Sequence, residues 1–463
     1  MIKDMTQGSP LRLILVFSIP LLIGNAFQQF YNVVDTLIVG RTLGRDPLAA
    51  VGAVGALVFA VIGFCFGMSS GFGVIIGQRF GAKDEVGLRR SVTHSVVLSV
   101  ITTIILTAIC VPCTRLMLQA MNTPPELLEN ATIYLRIIFL GLGATFFYNT
   151  LSAIIRALGD SRTPLYFLIL SSVVNILLDL LFILHFKMGV AGAAWATVLS
   201  QLLSALCCLW FVSRHFPILH LCRADWQSND RMYADLLKQS IPMGFHFSII
   251  ALGTIILQVA VNSFGSTAVA GITIANKISL ILSNPLPTFG IALGTFVAQN
   301  YGARQFHRIR QGIYQTLFGL AIPWCIIAGV ICYFGDDAMT ALFLKDPDAE
   351  VLRLARVYFQ TVVSFYFAIA TMFVYRNVMQ SVGRPLWPLI AAVVELFGRM
   401  SGAVILPKFI GYRGVCLSSP LAWMGACVIL IPAYYLWSHR EKTADAAGTP
   451  FTENHKANEQ TTP

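Results

Sequence analysis

Apolar runs of about 20 or more residues recur along the whole chain, parted by short polar breaks. Twelve spans fit this pattern, near residues 12–38, 48–78, 91–117, 130–156, 164–186, 190–213, 236–262, 268–299, 311–334, 354–380, 386–407 and 414–438. Hydrocarbon offers a backbone no hydrogen-bond partner, so each run must satisfy its own N–H and C=O groups as an α-helix. The expected fold class is an all-α integral membrane protein with twelve transmembrane helices. Composition agrees, since 56% of the 463 residues are hydrophobic and only 12% charged, against about a quarter charged in a soluble domain.

The net charge of +10 invites a nucleic-acid reading, but the basic residues are scattered through short loops with no clustered arm. No nucleic-acid partner is expected. Lys and Arg crowd one set of surfaces, Lys3, Lys83, Arg162, Arg223, Arg304, Arg376 and Arg384 among them. They are sparse on the other, where Arg41, Arg115, Lys187 and Lys408 stand. That bias places both termini in the cytoplasm of a cell (inner) membrane, and an even span number requires them to share a side. Pro20, Gly24 and Asn25 interrupt the first run, so it is not a cleavable signal and stays as a helix. Cys110 and Cys113 form a CxxC without a second pair, and with the other cysteines they read as small apolar residues.

The chain repeats itself. Ser18-Ile19-Pro20 returns as Ser240-Ile241-Pro242, and Gln78-Arg79-Phe80-Gly81-Ala82-Lys83 as Gln299-Asn300-Tyr301-Gly302-Ala303-Arg304. Ala131-Thr132-Ile133-Tyr134 matches Ala355-Arg356-Val357-Tyr358, and Gly189 with Gly192 matches Gly411 with Gly414. The common order and offset predict two six-helix lobes related by an internal parallel repeat. The expected domains are an N-terminal lobe at 1–213, a cytoplasmic inter-lobe loop at 214–235, a C-terminal lobe at 236–438 and a disordered polar tail at 439–463.

Within the first span, Asn25, Gln28, Gln29, Asn32, Asp35 and Thr36 fall on one helical face, opposite Phe27, Phe30, Val33, Val34, Leu37 and Ile38. A polar stripe ending in a carboxylate must turn toward a cavity or other helices, because an ionisable group facing lipid costs several kcal/mol. Thr145, Asn149, Ser152 and Arg156 share a face of span four, Ser172, Asn175 and Asp179 of span five, and Thr197, Ser200, Gln201 and Ser204 of span six. Such oxygen-rich faces either bind helix to helix or hold a hard ion such as Na⁺ or a transferable proton. Asp35 and Asp179 are the expected proton-or-ion switch.

In the second half, Glu395 and Arg399 stand four apart, as in an intrahelical ion pair. Lys277 has no evident partner, and His246 is a lone histidine on an apolar span. Gly63, Gly67 and Gly71 allow a close helix approach. Pro20 and Pro242 hold matching places where each helix can bend, and Pro285 with Pro287 should bend or break span eight.

SIPLLIGNAFQQFYNVVDTLIVG, followed by LAAVGA, GQRFGAKD, RALGDSRTP, NILLDLLFI and GVAGAAWAT, resembles the multidrug and toxic compound extrusion (MATE) family. The similarity runs through nearly all of the chain before the tail. The resemblance implies antiport of organic cations or other amphipathic drugs against H⁺ or Na⁺, by a monomer with no enzymatic activity and no cofactor. Its coupling acids fall on Asp35 and Asp179, with Asn149, Asn175 and Thr197 as accompanying ligands of the proton or Na⁺. Its bendable proline falls on Pro20, and Gln28 faces the first-lobe cavity, beside Asn25, Gln29 and Asn32 on the same stripe. Early in span seven some members carry an acid where this chain reads PMGFHFSIIALG, which favours the DinF-like arrangement with coupling in the first lobe.

The expected mechanism has the coupling ion neutralise the two acids, bend the first span near Pro20 and compete with a cationic substrate for the same negative charge. The rival is a lipid-linked oligosaccharide flippase of a related fold, which needs a larger cavity rich in cationic residues. A membrane enzyme such as an acyltransferase needs a nucleophile–base set, and none is visible.

Overall fold

The computed structural model describes residues 3–227, 230–262, 264–334 and 349–446, and its regular elements are all helical. The first lobe begins with α1 (Pro10–Leu43), then α2 (Arg45–Ala53) and α3 (Gly55–Gly81), which meet at Val54. α4 (Glu85–Ala120) follows, started by Asp84, whose carboxylate accepts from the Gly87 N–H at 2.8 Å. α5 (Pro125–Leu140) and α6 (Leu142–Ala157) form one span bent by 47°. α7 (Arg162–Asp179) passes directly into a π-helical turn (Leu180–His185), and α8 (Val190–His215) ends the lobe.

Two short 3₁₀ turns (Pro217–Leu219 and Arg223–Trp226) lead to α9 (Asp230–Asn262), which begins inside the stretch expected to be loop. α10 (Ser266–Ser283) breaks at Asn284 before α11 (Pro285–Gly302), since Pro285 and Pro287 donate no backbone hydrogen bond. α12 (Phe306–Thr316) continues through a π-helical turn (Leu317–Ala321) into α13 (Ile322–Phe334). α14 (Ala349–Val363) and α15 (Tyr366–Ser381) form a second bent span, at 46°. α16 (Leu386–Val404), the short α17 (Pro407–Ile410) and α18 (Tyr412–Cys416), and α19 (Ser418–Ala446) complete the chain. The polar segment from His439 thus starts as helix, and 447–463 lie outside the described residues.

Among the described residues nine stretches are long and apolar enough to cross a membrane, and eleven when each bent pair counts as one. α9 supplies the twelfth: its 33 residues reach about 50 Å, and beyond its polar start around Asp230, Arg231 and Asp235 the run from Phe245 to Val261 holds no Asp, Glu, Lys or Arg. The protein is a twelve-helix membrane protein in two six-helix lobes.

The repeat is written into the backbone. Positive φ recurs at Gly44 (90°) with Gly265 (86°), Lys83 (58°) with Arg304 (57°), Gly159 (82°) with Gly383 (78°) and Gly189 (60°) with Gly411 (58°). The two bent spans also hold corresponding places. Side chains rarely adopt such φ, so Lys83 and Arg304 mark the same tight exit from α3 and α11.

The lobes are joined mainly by α3 lying along α9. A Cβ at Gly67 would overlap the Met243 carbonyl, and one at Gly71 the Ser240 backbone. The stepped glycines therefore serve as the expected close contact. α1 belongs to both lobes. Its first half buries Leu13, Ile14 and Phe17 in the second lobe's core with Leu293, Phe296 and Ile313. Beyond the buried Pro20 its Gly24 faces Leu165 and Leu168 of α7. The proline thus sits where α1 changes partners.

Candidate functional site

Two separate polar regions emerge along α1. The one farther along α1 joins Asp35 to Asp179, the last residue of α7 before the π-helical turn; the two carboxyl groups are close neighbours. Oδ1 of each is buried with no hydrogen-bond partner. Two carboxyl groups so placed need either a shared proton or a cation between them.

Asn175, one helical turn before Asp179, orders this pair. With its amide turned to satisfy both ends, it donates to Asp179 Oδ2 at 2.7 Å and to the Tyr31 hydroxyl at 3.2 Å. Its oxygen accepts from the Thr197 backbone N–H at 3.1 Å. Thr197 Oγ1 donates to the Ala193 carbonyl at 3.1 Å. Tyr31 and Tyr134 stand against both acids. The donor set is oxygen and amide only, suited to a proton or a hard monovalent ion. Among the described residues no three His, Cys, Asp or Glu side chains converge as a metal site.

The second region is a cavity of about 440 Å³ between the lobes. Pro20, Asn25 and Gln28 line it from α1, and Asn25 Nδ2 donates to Thr288 Oγ1 of α11 at 2.9 Å. Asn149 also lines this cavity and makes no hydrogen bond to either carboxyl among the described residues. Gln29 and Asn32 are exposed and lie outside the lining. Asn32 is seven residues past Asn25, about 10 Å further along the helix, beyond the cavity's reach. Asp35 and Asp179 are not lining residues either, so the carboxyl pair and the cavity are separate places along α1.

One end of the cavity is closed by the amino-terminal segment and the ends of α3, α6, α11 and α15. Gln299 Nε2 donates to the Ala157 carbonyl at 2.8 Å, and Gln78 Nε2 to the Ser381 carbonyl at 2.8 Å. Gln239 Nε2 donates to the Gln380 carbonyl at 2.7 Å.

In the second lobe, Glu395 is buried and engages two guanidiniums. Arg399 lies 3.8 Å away on the same helix, as its spacing suggested, but the closer partner is Arg376 of α15. Arg376 is therefore not a loop residue. It is 3% exposed, packs 5.7 Å from the Phe373 ring and lines the cavity. The apolar run around it masked its membrane position, because a paired arginine is tolerated inside a span. With both oxygens claimed by arginines, Glu395 is not free to bind an ion. His246, also a lining residue, is buried beside Arg376 and Arg399, whereas Lys277 is exposed on α10.

Tyr31, Tyr134 and Arg376 escaped the sequence reading. Tyr31 had a signal, standing four residues before Asp35 at the edge of the polar stripe. Tyr134 appeared only as a letter in the repeat.

Known proteins share this architecture. The MatE family model matches residues 20–181 and 242–405, one match in each lobe. The chain is 30% identical to the probable multidrug resistance protein YpnP of Bacillus subtilis (strain 168), over 91% of this chain and 94% of that one. It is 23% identical to the probable multidrug resistance protein NorM of Thermotoga maritima, over 89% and 88%. A crystal structure of MATE in the bent conformation superposes with a TM-score of 0.88 at 23% identity, covering 96% of this chain and 98% of that chain. An outward-facing MATE family transporter superposes at 0.86, with 24% identity over 95% and 98%. Family model, relative and fold agree: this chain belongs to the MatE family.

Proposed function

We propose that the chain is a secondary active exporter of drug-like amphipathic molecules, driven by entry of H⁺ or Na⁺ and working by alternating access between its lobes. It is a transporter, not an enzyme. One observation carries the reading. The same helix, α1, holds Asp35 in the carboxyl pair and Asn25 and Gln28 in the cavity wall, with Pro20 where it changes lobes. An ion bound at Asp35 and Asp179 favours one course of α1, and a substrate bound at Asn25 and Gln28 favours another. Such differential binding is all that exchange requires. Asn175 and Thr197 order the ion site, and Asn149 belongs with the substrate.

In this reading the lobes span 1–213 and 236–438, joined by 214–235 on the cytoplasmic side. Both termini face the cytoplasm of the cell membrane, and the monomer is the working unit. A cavity of about 440 Å³ is of drug size, small for a lipid-linked oligosaccharide. The test is efflux of a fluorescent drug from vesicles under a pH gradient or a Na⁺ gradient, with Asp35→Asn alongside. Efflux driven by one gradient and lost in the variant supports antiport and names the ion. Undiminished gradient-driven efflux by Asp35→Asn rejects the coupling site.

A further inference from the structure

We propose that the inter-lobe cavity selects anionic amphiphiles over cationic ones, an inference that rests on the exporter reading of this cavity. The ionised groups in its lining are Arg156 of α6 and Arg376 of α15, and no carboxylate lines it among the described residues. Arg156 is half-buried against the cavity and makes no ion pair among the described residues. Arg376 and Arg399 share one carboxylate, Glu395. Two guanidiniums against one carboxylate leave that cluster one positive charge.

The nearby acids do not offset this. Asp160, four residues past Arg156, is turned into the start of α7, where it accepts from the Arg162 and Thr163 N–H groups at 2.9 and 3.1 Å and from Thr163 Oγ1 at 2.7 Å. Asp35 and Asp179 face each other outside the lining. Amide groups of Asn25, Gln28 and Asn377 can donate to an anion, and Phe59, Phe66 and Phe373 give an aromatic body its contact surface. In a confined apolar site, like charges repel far more than in water. The ligand fitted by this lining is an aromatic body bearing a carboxylate or sulfonate. Among the expected substrates this sets organic cations behind other amphipathic drugs.

The coupling follows. An anion does not compete with the coupling ion for the two acids, and a positive charge added at Asp35 and Asp179 would strengthen its hold on the cavity. Release must therefore work through the course of α1, which carries Asn25 and Gln28 out of the lining when it bends at Pro20.

Fluorescein and rhodamine 123 share a xanthene frame and differ in charge, so their binding to the purified protein in a non-ionic detergent isolates the sign. The wild type should bind fluorescein about tenfold or more tightly than rhodamine 123, an advantage that added salt erodes. Arg156→Glu should invert the order and Arg156→Lys should keep it. A wild-type preference for rhodamine 123, or a preference indifferent to Arg156→Glu in a variant that elutes as a folded monodisperse peak, overturns the inference. The wild-type comparison stands even where a variant does not fold. Vesicle efflux of the same dyes separates the two readings: fluorescein binding without gradient-driven efflux of either dye rejects the exporter alone. Gradient-driven export of rhodamine 123 with fluorescein excluded rejects the anion preference alone.

Discussion

Gln78 and Gln299 make the same hydrogen bond in opposite directions: each sends its side-chain amide to a backbone carbonyl at the end of the other lobe's bent span. Gln78 reaches Ser381 and Gln299 reaches Ala157, both at 2.8 Å. The repeat-matched glycines beside them cross as well, Gly81 against the Gln299 carbonyl and Gly302 against that of Gln78. Four positions of the repeat thus form one two-fold latch at the closed end of the cavity.

Removing one arm should loosen that end. A hydrogen bond of this kind contributes about 1 kcal/mol, and the carbonyl left unpaired adds to the loss. Gln299→Leu should raise deuterium uptake in the segments around Leu158–Arg162 and Asn300–Gln305, with Gln78→Leu doing the same around Ser381–Arg384. Uptake equal to wild type in both variants would show that the latch holds nothing shut.

The amino-terminal segment straps the same end. Lys3 N–H donates to the Leu158 carbonyl at 3.0 Å, and Met5, fully buried, donates its N–H to Gln299 Oε1 at 2.8 Å. From the second lobe, Arg308 donates to the Gly8 carbonyl at 2.9 Å and to Asn300 Oδ1 at 3.0 Å. Arg308→Ala should cost about 1–2 kcal/mol, read as a lower melting temperature in detergent and faster exchange at residues 3–8. An unchanged melting temperature would mean the strap is passive.

Gly67 and Gly55 are a matched pair for testing the α3–α9 contact. A Cβ at Gly67 meets backbone, which cannot rotate away, whereas one at Gly55 has nothing within 4 Å. Gly67→Val should abolish the monodisperse peak in size exclusion, an overpacking penalty well above the usual 1–3 kcal/mol or so. Gly55→Ala should elute like wild type. Folded Gly67→Val would mean that the two helices separate easily.

Much of this was legible in the chain. The spans, the repeat, the stepped glycines, the break at Pro285 and the pairing of Glu395 with Arg399 follow from periodicity and spacing, which are local properties. Arg376 was misplaced because a cation that ends a polar break and a cation neutralised by a distant helix look alike in sequence. Glu395, nineteen residues on, became its partner only once α15 and α16 were packed. The cavity lining was hidden for the same reason: Asn25, Asn149 and Asn377 come from three helices, and nothing in one helix states what it faces.

The two buried acidic centres should answer differently to neutralisation, and this separates coupling from structure. Glu395→Gln leaves the guanidiniums of Arg376 and Arg399 buried and unneutralised, a loss of about 3–5 kcal/mol. That variant should be recovered in low yield, with melting lowered well below wild type. Adding Arg376→Met should restore part of the loss, because the uncompensated charge goes with it. Asp179→Asn does the reverse. It removes one of two facing carboxyls while keeping the shape and the oxygen that accepts from Asn175, so stability should hold or rise. Gradient-driven efflux should nonetheless be lost. Equal destabilisation by Glu395→Gln and Asp179→Asn would mean that the first-lobe pair is a structural contact like the second, and the coupling role of Asp35 and Asp179 would fall with it.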